Sequence, residues 1–425
     1  GASAPRQKAP PVAPPPVVVQ PAAKPPSPPP VPAARPLAPA PVPAARPQTP
    51  APATVADVPA EASAEKEPGK PIRRVGLLFP SEGPRKGFGV EARRGAQLCM
   101  EDPRGERPFA LEAVVREENG ADPAAVITEL VDSEGVVAIV GPLLSGAAGK
   151  AIAAAERRAL PLISPTAGAA GLGEGSTVFF RTCLTLEAFA AALAEYAVGR
   201  LGAPNVAILL PAQPYGRSLA GAFRQALEAR GARVPVVREY PPGLRDLVPW
   251  SAALVKELLP DGAEGAPAVD AIFLAGSAVE AGMILPRLAY LGLDPREVAV
   301  LGGSALDVPE FPRLAGGYAE GALIADGFFA GSDQPAAADF VQRYRERHGD
   351  DPGPAAAQAC AAVELLAAAL RGGAATPRGT LDALGALGEV PTVLGPVRVA
   401  PGGRIERRPF FITVRAGGLV ELGGR

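Results

Sequence analysis

Between residues 136 and 168 the chain runs through an apolar segment, a Gly-Pro turn, an alanine-rich stretch and a second apolar segment, an order that sharply narrows its architecture. Residues 136–140 show no polar alternation, as expected of a strand buried on both faces, and Gly141-Pro142 stops it. Ser145 then opens a helix predicted over 146–158, which leads into a second buried strand at 161–164. This is a βαβ unit. It sets two strand ends, 141–145 and 164–168, side by side at the carboxyl edge of a parallel sheet, where open α/β sheets take ligands.

A serine at a helix start offers its hydroxyl beside free backbone N–H groups and the positive end of the helix dipole, which suits an anionic or carbonyl-bearing guest. The same serine could simply cap the helix, and both readings stand. A phosphate loop is excluded: Gly141 and Gly146 have the Walker spacing, but Ala147 stands where lysine is required and Lys150 comes too late.

The alternation continues. From Ile72 onward, strands are predicted at 75–79, 111–116, 136–140, 161–164 and 178–181, with helices at 89–101, 123–133 (Asp122 as cap, Pro123 first) and 146–158. A second run follows, with helices ending at Arg200, Arg230, Leu259 and Leu291 between strands at 206–210, 234–239, 271–275 and 298–302. Helices at 337–347 and 355–370 and a hairpin-like stretch at 397–422 close the chain. Such alternation means parallel sheets with right-handed crossovers, and two α/β lobes of this size imply a cleft between them. A chain of 425 residues, 48% hydrophobic, is long enough for two cores.

Ahead of this lies a segment of different character. Residues 1–71 hold a large share of the 52 prolines and a near-repeat, Val-Pro-Ala-Ala-Arg-Pro, at Val31 and Val42. It is expected to be a disordered linker that favours polyproline II and could reach on the order of 200 Å. Two origins are open for the small residues at its start: cleavage after a lipid-modified cysteine, which would anchor the chain to a membrane, or an arbitrary cut.

Composition removes several function classes. A net charge of -2 and 5% aromatic residues supply neither the basic stripe nor the stacking platforms of a nucleic-acid binder. The three cysteines, Cys99, Cys183 and Cys360, are widely spaced in apolar segments and read as buried free thiols rather than as a metal cluster or disulfide scaffold. His348, the one histidine, is expected on the exposed last turn of a helix. No Ser-His-Asp set can be drawn without it, so no enzyme, metal or cofactor is expected.

The folded part resembles a known family, the type I periplasmic binding proteins, whose prototype is the leucine/isoleucine/valine-binding protein. The resemblance covers 72–425 in order. It includes Val-Gly-Leu-Leu-Phe-Pro at Val75, Phe88-Gly89, Ile-Val-Gly-Pro at Ile139 with Ser145, Pro-Leu-Ile-Ser-Pro at Pro161, Phe-Phe-Arg-Thr at Phe179, Pro-Tyr-Gly at Pro214 and Asp-Ala-Ile-Phe-Leu-Ala-Gly at Asp270. Val-Leu-Gly-Gly at Val300, Ala-Glu-Gly-Ala at Ala319 and His-Gly-Asp-Asp-Pro-Gly-Pro at His348 extend it.

It implies two Rossmann-like lobes with parallel sheets, joined by three crossovers near Thr182, Gly327 and Val393. Lobe 1 would comprise 72–182 and 328–392, and lobe 2 183–327 and 393–425. It also implies a receptor in the periplasm or cell envelope, closing on a small solute for an ABC permease or for signalling.

Carried over by position, the ligand-binding candidates are Ser145, Thr166, Ala167 and Gly168 on the first lobe, and Tyr215, Ser277 and Ser304 on the second. Phe88 stands at the mouth of the first and could equally cover the helix start, as Tyr215 could pack on its own helix. Ser304 occupies the place of the family's usual carboxylate and Ser277 that of an aromatic. Unless Asp307 or Glu280 swings in, an ammonium group would lack a partner, so a neutral or purely anionic solute, or none, is expected in preference to a free α-amino acid.

The run 271–290 is also similar to the corresponding run of the penicillin-binding-protein activators, lipoproteins that dock on a peptidoglycan synthase, and the long proline-rich reach and the weakened ammonium site favour that reading. That is the alternative to a solute receptor.

Overall fold

The computed structural model describes residues 69–101, 106–118, 122–241, 243–244, 247–262, 265–400 and 404–423. The expectation of a proline-rich linker therefore lies, up to residue 68, outside the described residues.

The first sheet is parallel, with strands β1 (Ile72–Phe79), β2 (Ala110–Glu117), β3 (Ala138–Val140), β4 (Leu162–Ser164) and β5 (Phe179–Arg181) in the order β2-β1-β3-β4-β5. Helices α1 (Lys86–Met100), α2 (Pro123–Asp132) and α3 (Ser145–Glu156) connect the first four. Asp122 caps α2 by accepting from the Ala124 N–H at 3.2 Å, with Pro123 in the first turn, as the sequence indicated.

The chain then builds the second lobe. Here α4 (Leu186–Gly199), β6 (Val206–Pro211), α5 (Pro214–Glu228), β7 (Val237–Tyr240), α6 (Leu247–Leu258), β8 (Ala271–Leu274), α7 (Ala278–Tyr290), β9 (Ala299–Gly302), α8 (Glu310–Ala315) and β10 (Leu323–Asp326) follow in turn. The central strands β6, β8, β9 and β10 are parallel and almost wholly buried, the pattern of a sheet covered on both faces.

After β10 the chain returns to the first lobe with α9 (Pro335–His348), α10 (Pro354–Leu370) and α11 (Pro377–Gly385). Helix α10 is alanine-rich and buried nearly all round. Its small side chains let α1 approach until a Cβ at Gly95 would stand 2.1 Å from the Ala356 carbonyl oxygen, so only glycine fits there. At this contact Cys99 and Cys360 form a disulfide, with Cα atoms 5.3 Å apart. The expectation of three free thiols is thus corrected: only Cys183 is free among the described residues. A separation of 261 residues hides the pairing from any spacing rule.

The last strands divide. A small antiparallel sheet, β11 (Glu389–Thr392), β12 (Gly395–Val399) and β13 (Ile405–Glu406), adds Val390, Val397 and Val399 to the first core. Then β14 (Phe410–Arg415) and β15 (Gly418–Glu421) complete the second sheet as β15-β14-β10-β9-β8-β6-β7, with β14 antiparallel to β10. The third passage between lobes therefore falls near Arg407, not near Val393, because the valines of β12 face first-lobe side chains. The hairpin-like reading of 397–422 merged two separate sheets.

His348 ends α9 as expected, but it is half-buried against Tyr344, with ring centroids 4.6 Å apart and Nε2 buried. Burial pushes its pKa down.

Candidate functional site

The carboxyl edge of the first sheet opens on a cavity of about 650 Å³ lined by Arg85, Phe88, Glu118, Ser145, Lys150 and Thr166, among others. Ser145 is the first residue of α3, with Leu144 at the cap position. The serine therefore does not cap its own helix. Its hydroxyl accepts from the Ala169 N–H at 3.2 Å, tying the helix start to the loop after β4. Thr166 reaches the same wall and donates to the Leu143 carbonyl at 2.8 Å. Ala167 is buried, its N–H donating to Ser164 Oγ at 3.1 Å, and Gly168 continues the loop toward Cys183. Phe88, Ser145 and Thr166 thus meet at one cavity.

Glu118, absent from the sequence reading, organises this wall. It follows the last residue of β2, is 5% exposed, and accepts N–H groups from Leu143 at 2.8 Å and Leu144 at 2.7 Å. Burial pushes its pKa up to about 7, against the opposing pull of those two hydrogen bonds. A similar position holds for Glu364 on α10, pushed up to about 7 by burial while accepting the Val393 N–H at 2.9 Å.

Both carboxyls hold their proton more tightly folded than unfolded. Each therefore favours the folded state below about pH 4.5, and that contribution is lost as pH rises toward 7. Glu118→Gln is expected to gain stability on the wild type between pH 5 and 7.5, by on the order of 2 kcal/mol, in urea melts at the two pH values. A gap that does not change with pH would contradict this.

The second lobe contributes a cavity of about 230 Å³ at the ends of β8, β9 and β10, against the start of α10. Tyr215, Ser304, Asp326, Gly327 and Gln358 are among its lining. Tyr215 is 62% exposed on the first turn of α5, yet its pKa is pushed up by partial burial and by Asp326.

Asp326, at the end of β10 and 6% exposed, accepts the backbone N–H of Gly327 and is hydrogen-bonded to Asp307. Burial first, and then the Asp326 charge, push Asp307 up to about 8, so the pair shares a proton at neutral pH. Arg407 lies nearby as a buried counter-charge. The sequence reading anticipated Asp307 as a substitute carboxylate but passed over Asp326. The signal available was the buried run Leu-Ile-Ala ending in an acid, which is a strand end facing the cleft.

Ser277 and Glu280 are occupied elsewhere. They form the capping box of α7, with Glu280 Oε2 accepting the Ser277 N–H at 2.8 Å and the Tyr240 hydroxyl at 3.3 Å. The ammonium partner sought at Glu280 is therefore committed to α7.

One lobe thus carries hydroxyls and a helix N-terminus at the edge of a parallel sheet, and the other an acid pair at the edge of a mostly parallel one. Residues 73–418 match the sequence model of a family described as periplasmic binding protein. The chain belongs to that family.

Among relatives of this family, the Leu/Ile/Val-binding protein BraC3 of Rhizobium johnstonii is 27% identical over 350 residues, covering 80% of this chain and 90% of that protein. The leucine-, isoleucine-, valine-, threonine-, and alanine-binding protein of Pseudomonas aeruginosa is 25% identical over 318 residues, covering 73% of this chain and 81% of that protein. In structure, a putative branched-chain amino acid ABC transporter from Rhodospirillum rubrum aligns with a TM-score of 0.74 and 26% identity, over 83% of this chain and all of that one. The expected two-lobed α/β fold agrees with these likenesses.

Proposed function

We propose that this protein is a non-enzymatic solute receptor, working with an ABC importer and closing its lobes on an amino-acid-like ligand. The relatives' names support that class, and the family supports a place in the periplasm or outside the cell. The observation that carries the reading is the acid pair Asp326–Asp307 on the lobe opposite Ser145. A zwitterion needs both. Its carboxylate suits the Ser145 hydroxyl and the start of α3, and its ammonium suits Asp326, which compensates for the serine at 304.

Tyr215 and Ser304, beside Asp326, and Phe88, Thr166, Ala167 and Gly168, beside Ser145, complete the proposed site. Ser277 is set aside because α7 uses it as its cap. Docking on a peptidoglycan synthase would give the acid pair no task, so the receptor reading is preferred. Anchoring by a lipidated cysteine upstream is compatible with either.

Thermal-shift screening of the chain against amino acids, small carboxylates and amides tests the proposal. Ligand at a hundred times its dissociation constant should add about 2.7 kcal/mol of stability. Ser145→Ala is expected to weaken binding about tenfold, the worth of one hydrogen bond to a charged group. No shift across the amino acids would sink the reading.

A further inference from the structure

We infer that the floor of the second cavity is a subsite for an acceptor oxygen on the ligand's side group, so that the receptor takes an amino acid bearing a side-chain carboxylate or carboxamide. This rests on the amino-acid reading above and narrows it.

The three chain passages between lobes meet at Arg407. Its Nε donates to the Thr182 carbonyl at 2.9 Å on the first passage, and its Nη1 to the Arg408 carbonyl at 3.4 Å on the third. Its Nη2 is buried, has no hydrogen-bond partner, and lies against Gly327 on the second. Gln358, 8% exposed on α10, brings its amide to the same place. A Cβ at residue 327 would stand 3.1 Å from Arg407 Nη2 and 3.4 Å from Gln358 Nε2. Two N–H donors thus lie close to the bare α-carbon of Gly327; Gly327, Gln358 and Asp326 line the cavity, and Arg407 adjoins that lining at Gly327.

A buried donor without an acceptor keeps its full desolvation penalty, which a ligand oxygen would offset and an aliphatic side chain would not. Sites built to hydrogen-bond a polar group discriminate strongly against analogues that lack it. Asp326, next in sequence to Gly327, offsets the Arg407 charge, so carboxylate and carboxamide share the chemistry this floor offers.

Calorimetric titration of the whole chain with L-glutamate, L-glutamine and L-leucine tests the subsite. One of the two polar ligands should bind at least about tenfold tighter than leucine, and which one does identifies the group. Gly327→Ala, whose Cβ covers both donors, and Gln358→Met, which removes one, should each bring the ratio near one with an unchanged circular dichroism spectrum. Leucine bound as tightly as both polar ligands, or a preference that survives both variants, overturns the subsite and leaves the receptor reading in place. Failure of all three and of the other amino acids to bind overturns the receptor reading and the subsite with it.

Discussion

Amino-acid affinity should rise about tenfold per pH unit between pH 6 and 8, with close to one proton released per ligand bound at pH 7. The cause is the acid pair. Asp307 is pushed up to about 8 by burial and by the Asp326 charge, so in the empty cleft the two carboxyls hold a proton between them. An ammonium arriving at the pair takes the place of that proton, because both carboxylates can ionise only when a cation neutralises them. Below pH 8 the proton competes with the ligand; above it the competition ends and affinity levels off.

The other groups around the pair, Tyr215 and Arg407, do not change charge in this window. Titrations at pH 6, 7 and 8, in buffers of different ionisation enthalpy, measure both the slope and the proton count. Asp307→Asn should flatten the slope, since asparagine can donate to Asp326 without carrying a titratable proton. A dissociation constant that is the same at all three pH values, with ligand plainly bound, would exclude the shared proton.

The second large effect concerns the disulfide. Cys360→Ala, which places one more alanine on an alanine-rich helix, is expected to cost about 3 kcal/mol and to lower Tm by about 4 °C. The bridge joins residues 261 apart, so it restricts a long stretch of the unfolded chain, and it ties α1 to α10 where their backbones are already close. Thiol titration of the denatured, unreduced protein provides the complementary measurement. One reactive thiol per chain, Cys183, is expected; three, together with an unchanged melt of the variant, would contradict the bridge. A disulfide also suits the oxidising compartment in which periplasmic proteins work.

Much of the fold was legible because buried parallel strands announce themselves as short apolar runs cut off by Gly or Pro. The runs beginning at Val75, Val206 and Ala271 illustrate this: the second and third match β6 and β8 to within one residue, and the first lies inside β1, which starts three residues earlier. Strand β10 was missed. Its four residues, Leu323 to Asp326, follow α8, which has only six residues with Pro312 among them and so left no helical pattern in the sequence to mark the alternation. With β10 went its terminal carboxylate, and with that the main charge of the second-lobe site.

The start of α3 was read one position late, at 146 with Ser145 as the cap, since side-chain type says where a helix begins but not to within one residue. The Cys99–Cys360 pair and the Glu118 bonds to Leu143 and Leu144 depend on which helices and loops meet in space, and no local pattern encodes that.

Strand β1 begins at Ile72 and runs parallel to its neighbours toward the ligand edge at Phe79. Eight residues of strand separate the two ends, about 25 Å. Any dye, surface linker or fused domain attached ahead of Gly69 therefore joins the lobe on the side turned away from the cleft. The protein can be immobilised by that end with its mouth facing solution, which makes it a practical scaffold for a reagentless sensor of its own ligand.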